Sequence, residues 1–149
     1  MRLPQTATGD SLAKRAGIML LSLSVRIAEE FHSKEEASMP LGDLARLAKR
    51  CGYGALCMRA SQVGVHSPPE AVEEAAGCLA ETGLAVSMVT GDFDTVYNNE
   101  KGPSALTNIT PYVDLANRLG APRIRVALKH ELDIANARRA ADEAAEHGI

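Results

Sequence analysis

Arg59, Ser61, Gln62 and His66 follow directly on the apolar run Ala55 to Met58, and a second arginine, Arg125, lies inside another apolar run, Arg123 to Leu128. Burying an arginine within a packed strand costs several kcal/mol unless the charge is paired, so these two side chains call for an acidic partner or a ligand. His66 could hydrogen-bond a substrate hydroxyl or assist proton transfer, or it could pack beside Ser67 at a helix start. Lys129, His130 and Glu131 stand in the same kind of place, just past an apolar run. Asp92, Asp94, Asn98 and Asn99 carry oxygen atoms of the type hard cations take, but the glycine and terminal glutamate of a calcium loop are missing, and turn chemistry explains them. The sequence contains no Walker loop, dinucleotide fingerprint, HExxH motif or nucleophile elbow. It singles out substrate-binding candidates and no catalytic acid or base.

The elements that must position these residues repeat one unit: a helix stopped by glycine, then a short apolar strand, then polar residues. The glycines are Gly52, Gly83, Gly120 and Gly148. The first strand is expected at Ile18 to Ser24, with Val25 to Met39 a long connection. A helix then runs from about Pro40 to Arg50 on the stripe Leu41, Leu44, Ala45, Leu47 and Ala48. The second strand is Ala55 to Met58. Ser67 and Glu70 have capping-box spacing for the next helix, with Pro68 at its first position and Val72, Ala75, Ala76 and Leu79 inward. The third strand is Leu84 to Thr90, and a polar loop, Gly91 to Pro103, leads to a helix over Ser104 to Leu119 in which Thr110-Pro111 marks a kink or the true start. The fourth strand is Arg123 to Leu128, and a last helix runs from about Asp133 to His147. By this pattern residues 1–16 form a polar extension, and 17–149 are four βα units that stop at Ile149, the first residue of a fifth strand.

Strands alternating with helices in this way require parallel strands and right-handed crossovers, as in a (β/α)8 barrel or a small doubly wound open sheet. Side-chain alternation separates the two. Ile124, Val126 and Leu128 share one face of the fourth strand, and Arg123, Arg125 and Ala127 share the other. An open sheet would bury Arg125 under a helix, whereas a barrel turns that face toward an interior that opens into an active site. The inward sets are then Ser22 and Ser24, Cys57 and Arg59, Ser87 and Val89; the outward sets are Leu21 and Leu23, Leu56 and Met58, Val86 and Met88. Arg59 and Arg125 are expected on the same concave side.

Composition narrows the partners. With 149 residues, 46% hydrophobic and 23% charged, the chain has globular usage and an aliphatic core, since it holds two Phe, three Tyr and no Trp. A net charge of -3 disfavours a nucleic-acid backbone as the main partner. Cys51, Cys57 and Cys78 have neither disulfide nor zinc spacing and read as reduced thiols in a cytoplasmic protein. The apolar run Gly17 to Val25 lacks a cleavage site and is too short for a bilayer, so no membrane is expected.

Gly52-Tyr53-Gly54-Ala55-Leu56, after the helix Leu44-Ala45-Arg46-Leu47-Ala48-Lys49-Arg50-Cys51, and Leu119-Gly120-Ala121-Pro122-Arg123-Ile124-Arg125-Val126 resemble the second and fourth strand entries of the xylose isomerase-like TIM barrels, the sugar phosphate isomerase/epimerase family. The resemblance covers about Ile18 to Ile149. It implies that the chain is the N-terminal half of such a barrel, part of an isomerase or epimerase of a small sugar, sugar phosphate or related hydroxycarbonyl compound. It also implies a divalent metal (Mn, Mg, Zn or Co) for the full-length parent, with ligands beyond Ile149 and none held tightly by this chain. Many members carry an acidic residue near the end of the second strand, where this sequence has Cys57-Met58-Arg59; a phosphate or carboxylate near Arg59 is the natural substitute. Arg59, His66, Arg125 and His130 are therefore the expected substrate-binding residues for a carbohydrate-like molecule. The alternative is an open-sheet domain that binds a ligand or partner without chemistry. A half-barrel alone has two unpaired edges and is expected to be inactive and to self-associate.

Overall fold

The computed structural model describes residues 19–33, 35–90, 104–128, 131 and 133–149. In chain order these form β1 (Ser22–Ser24), a 3-10 turn (Val25–Ala28), α1 (Leu41–Arg50), β2 (Ala55–Arg59), α2 (Pro69–Thr82) and β3 (Ala85–Thr90). There follow α3 (Ser104–Thr107), α4 (Thr110–Leu119), β4 (Ile124–Arg125) and α5 (Asp133–Glu146). All strand pairs are parallel and the order across the sheet is β1-β2-β3-β4. A doubly wound sheet reverses its strand order at a switch point; a barrel advances by one neighbour at each crossover. The sequential order therefore selects the first four βα units of a (β/α)8 barrel over the open sheet.

One face of the sheet carries the helices. Leu56, Met58, Val86 and Val89 pack in a single buried cluster with Leu44, Ala45 and Ala48 of α1, Val72, Ala75 and Leu79 of α2, and Leu115, Ala116 and Leu119 of α4. Each such Leu, Val or Met contributes roughly 1.5–3 kcal/mol by leaving water. A second cluster of Leu106, Ile109, Tyr112, Val113 and Ala140 seats α5 on α3 and α4, with Ile124 and Val126 at its edge.

Several boundaries differ from the sequence pattern. β1 begins at Ser22, not Ile18, because its only partner β2 begins at Ala55: the amides of Gly54 and Ala55 both donate to Leu21 O, at 3.0 and 3.2 Å, and there the ladder starts. A Cβ on Gly54 would lie 2.5 Å from Leu20 Cδ1, so the missing side chain lets the two segments close. β4 is reduced to Ile124–Arg125 because it pairs only with Val89 and Thr90. The connection after β1 opens with the 3-10 turn, whose Val25 and Ala28 are buried. Ser67 does not cap α2. Its hydroxyl accepts from Gly64 N at 3.0 Å, Pro68 takes the N-cap position and Pro69 begins the helix. The helix expected over Ser104 to Leu119 is two helices: Arg139 Nη2 donates to the carbonyls of Leu106 and Thr107 at 3.2 and 3.0 Å and ends α3, and Asn108 Oδ1 accepts from Thr110 N to start α4.

The facing of β3 also differs. β2 and β3 slip register between Leu56 and Cys57, so that Leu56 pairs with Val86 but Cys57 pairs with Met88 and Met58 with Val89. One extra residue on β3 places Ser87 and Met88 on the concave side in succession and returns Val89 to the helix side. Val89, expected on the inward face, is 2% exposed in the core on the helix side. The expected polar extension 1–16 lies outside the described residues.

Candidate functional site

The concave face is built in layers from the amino to the carboxyl ends of the strands. In the lowest, the hydroxyls of Ser22 and Ser87 meet at 2.7 Å across β2, and Ser87 Oγ also donates to Leu56 O at 3.3 Å. Side chains of alternate strands meet this way when a sheet curls toward a barrel interior. Above them lies Cys57, beside Ser24 of β1 and Met88 of β3. Burial pushes the Cys57 thiol up, against the downward pull of the Arg59 and Arg125 charges and of its hydrogen bond with Ser24. It is a neutral thiol near pH 7.

The uppermost layer is a register row. Arg59 at the end of β2 stands beside Thr90 at the end of β3, and Thr90 stands beside Arg125 of β4. Both arginines thus occupy the concave side, and both act on Cys57. Arg125 is exposed, and no hydrogen bond or ion pair reaches it among the described residues. Thr90 is 8% exposed, and its hydroxyl has no hydrogen-bond partner among the described residues.

Arg59 has a partner in this half of the fold. Its Nε donates to Glu29 Oε1 at 2.5 Å, and Ser61 Oγ donates to the same oxygen at 3.0 Å. The two side chains are 15% and 5% exposed. Leaving water costs a carboxylate several kcal/mol, which two donors, one of them a cation, offset here. Glu29 is held from the backbone as well, in an antiparallel bridge with Ala37, flanked by the bonds Glu30 N to Glu36 O and Ser38 N to Ala28 O. Gln62 Nε2 donates to Met39 O at 2.9 Å and pins the far end of the same connection. Arg59 at the end of β2, with Ser61 and Gln62 just after it, therefore fastens the segment that follows β1.

Of the sequence candidates, the structure brings Arg59 and Arg125 together. His66 lies in the exposed turn before α2, its ring so close over Gly64 that a Cβ there would stand 2.9 Å from His66 Cε1. His130 lies outside the described residues, as do Asp92, Asp94, Asn98, Asn99 and Lys129. Sequence reasoning missed Glu29 and Thr90. The signal for Glu29 was weak: Val25 and Ala28, three apart, imply a buried turn immediately before it. Among the described residues no three of His, Cys, Asp and Glu cluster to hold a metal ion, so these residues do not fit the divalent metal that the fold family implies.

No protein-family model and no curated protein matches the chain. Solved structures match its fold. A xylose isomerase-like TIM barrel protein from Mycobacterium smegmatis, in complex with magnesium, matches with a TM-score of 0.66 and 16% identity over 90% of this chain and 54% of its own. An AP endonuclease, family 2, from Brucella melitensis matches at 0.57 and 20% identity, over 88% of this chain and 53% of its own. A xylose isomerase domain protein from Planctomyces limnophilus matches at 0.55 and 17% identity, over 86% and 50%. The chain has the fold of the N-terminal half of the xylose isomerase-like TIM barrels and spans about half the length of these structures.

Proposed function

We propose that this chain supplies half of the substrate pocket of a metal-assisted isomerase or epimerase that acts on a small sugar, sugar phosphate or related hydroxycarbonyl compound. The observation that carries this reading is the row Arg59–Thr90–Arg125 on the concave side, at the carboxyl ends of three strands. Barrel enzymes bind their substrates at that rim. Arg59 and Arg125 would orient the substrate through its oxygen atoms, while the neutral Cys57 below them adds no competing negative charge. His66 and His130 would contribute from the rim turns. The magnesium in the Mycobacterium smegmatis protein supports a divalent metal in the parent, held by residues other than those described here.

Four further strands are needed to close the barrel, and the exposed Met19, Leu21 and Leu128 near the open edges support association with another copy when the chain is alone. No helix among the described residues is long and apolar enough to cross a membrane. Cys51, Cys57 and Cys78 are free, in keeping with a cytoplasmic setting.

The test is binding of dihydroxyacetone and dihydroxyacetone phosphate to the full chain, followed by NMR. The reading predicts shifts at Arg59, Thr90 and Arg125, and at least tenfold weaker binding in Arg59→Met and Arg125→Met. Binding that neither substitution weakens would place the substrate site elsewhere.

A further inference from the structure

We propose that Arg59, Thr90 and Arg125 form a pocket for one oxyanion group of the ligand, a carboxylate or a phosphate, and that Glu29 is its positioning residue. This rests on the reading that the concave row binds substrate. Arg59 is held through one nitrogen. Glu29 Oε1 takes its Nε, and Ser61 Oγ fixes that same oxygen. Arginine meets carboxylates most strongly through two parallel bonds, yet the contact here is made at Nε, and no described residue bonds either Nη group. Among the described residues, the four Nη N–H donors of this nearly buried guanidinium are therefore unused, and a ligand could take them.

Two further observations point to the same spot. Arg125, next in the row but one, is a cation with no partner among the described residues, and its charge and that of Arg59 converge on Cys57. Between them stands Thr90, more than nine-tenths buried with its hydroxyl unpartnered among the described residues. Buried hydroxyls are nearly always bonded, and since no described residue pairs with this one, an oxyanion between the two guanidiniums would supply its partner. Glu29 touches none of the ligand atoms. It fixes the angle at which Arg59 presents its remaining donors, and the bridge to Ala37 and the bond from Ser61 fix Glu29 in turn.

A positioning role and a purely electrostatic one predict opposite signs. Removing a carboxylate next to an anion site strengthens anion binding if charge alone matters. Glu29→Gln removes the charge but keeps an acceptor for Arg59 Nε and Ser61; Glu29→Leu removes both at similar volume. The probes are inorganic phosphate and glycolate, titrated into the full chain at constant ionic strength and followed at the Thr90 amide and the arginine Nε–H signals, with thermal melts to confirm folding.

The expected result is that Glu29→Gln binds as tightly as the parent or tighter, while Glu29→Leu binds at least tenfold more weakly. Thr90→Val, which keeps shape and removes the hydroxyl, should weaken binding about fivefold. If Glu29→Leu does not fold, Ser61→Ala answers the same question with an expected threefold weakening. Whichever of phosphate and glycolate binds more tightly identifies the group. If Arg59→Met and Arg125→Met abolish binding while Glu29→Leu and Ser61→Ala leave it intact or tighter, the positioning role is wrong and the concave-row reading stands. If neither probe binds, or both arginine substitutions are silent, the pocket and that reading fall together.

Discussion

Replacing Arg59 by Met leaves Glu29 as a carboxylate, 5% exposed, without its cation. Among the described residues, only the Ser61 hydroxyl, at 3.0 Å, would still donate to Oε1. Breaking one side of a buried ion pair costs about 3–5 kcal/mol, because the charge left behind stays desolvated; the retained hydroxyl and a small shift of the connection toward water put this case at about 3 kcal/mol. Removing both charges, Arg59→Met with Glu29→Gln, should recover most of that loss, since the desolvated charge is gone. With a urea slope of about 2 kcal/mol/M, the single substitution lowers the unfolding midpoint by about 1.5 M and the double one by less than about half as much. The assay is urea unfolding of parent, both single variants and the double variant at one protein concentration, because association shifts apparent stability. A single-variant loss below about 1 kcal/mol, or a double variant less stable than either single, would refute the claim that the pair is buried and coupled.

Four further outcomes are expected. Leu56→Ala, at a position with 0% exposure in the main cluster, should cost about 3–5 kcal/mol in the same urea assay. Gly64→Ala should cost about 1–3 kcal/mol and Gly54→Ala less: the new Cβ at 64 meets the Ala60 backbone at 3.0 Å, whereas at 54 it meets the mobile tip of Leu20. Exposed Cys51 should alkylate with iodoacetamide before Cys57 at pH 8. The raised Cys57 value means its rate keeps climbing at pH values where an ordinary thiol has levelled off, and Arg125→Met, which removes a cation that lowers it, should shift that climb to still higher pH. Sedimentation equilibrium at micromolar concentration should show association that Leu21→Lys weakens; a monomer at all concentrations would contradict the account of the open edges.

The helices were legible because their stripes and stops are local. Leu44, Ala45 and Ala48, or Val72, Ala75 and Leu79, define a buried face within a few turns, and the positive φ of 86° at Gly52 and 64° at Gly83 fixes where each helix ends. The concave placement of Arg59 and Arg125 was legible for a similar reason, since period-two alternation in a short strand depends only on neighbours. β3 broke that rule. A bulge is decided by pairing with another strand, so nothing in Val86-Ser87-Met88-Val89 itself announces that Val89 returns to the core. The ends of β1 and β4 were set in the same way, by where a partner begins or stops. Glu29 was the hardest to see, because its partner is thirty residues away and is reached only when the connection after β1 folds back over the end of β2.

The curvature of the sheet toward a barrel interior can be tested directly by a disulfide between positions 22 and 87. The Ser22 and Ser87 hydroxyls lie 2.7 Å apart although β2 separates their strands. In a flat sheet strands two places apart are separated by about 9.5 Å, beyond the reach of a disulfide. With Cys51→Ser, Cys57→Ser and Cys78→Ser in the background, Ser22→Cys and Ser87→Cys should oxidise to one intramolecular disulfide under mild conditions, seen as the loss of both free thiols and a mass two daltons lower in the monomer. Two thiols that stay reduced in a folded chain, or cross-link only between chains, would contradict the half-barrel.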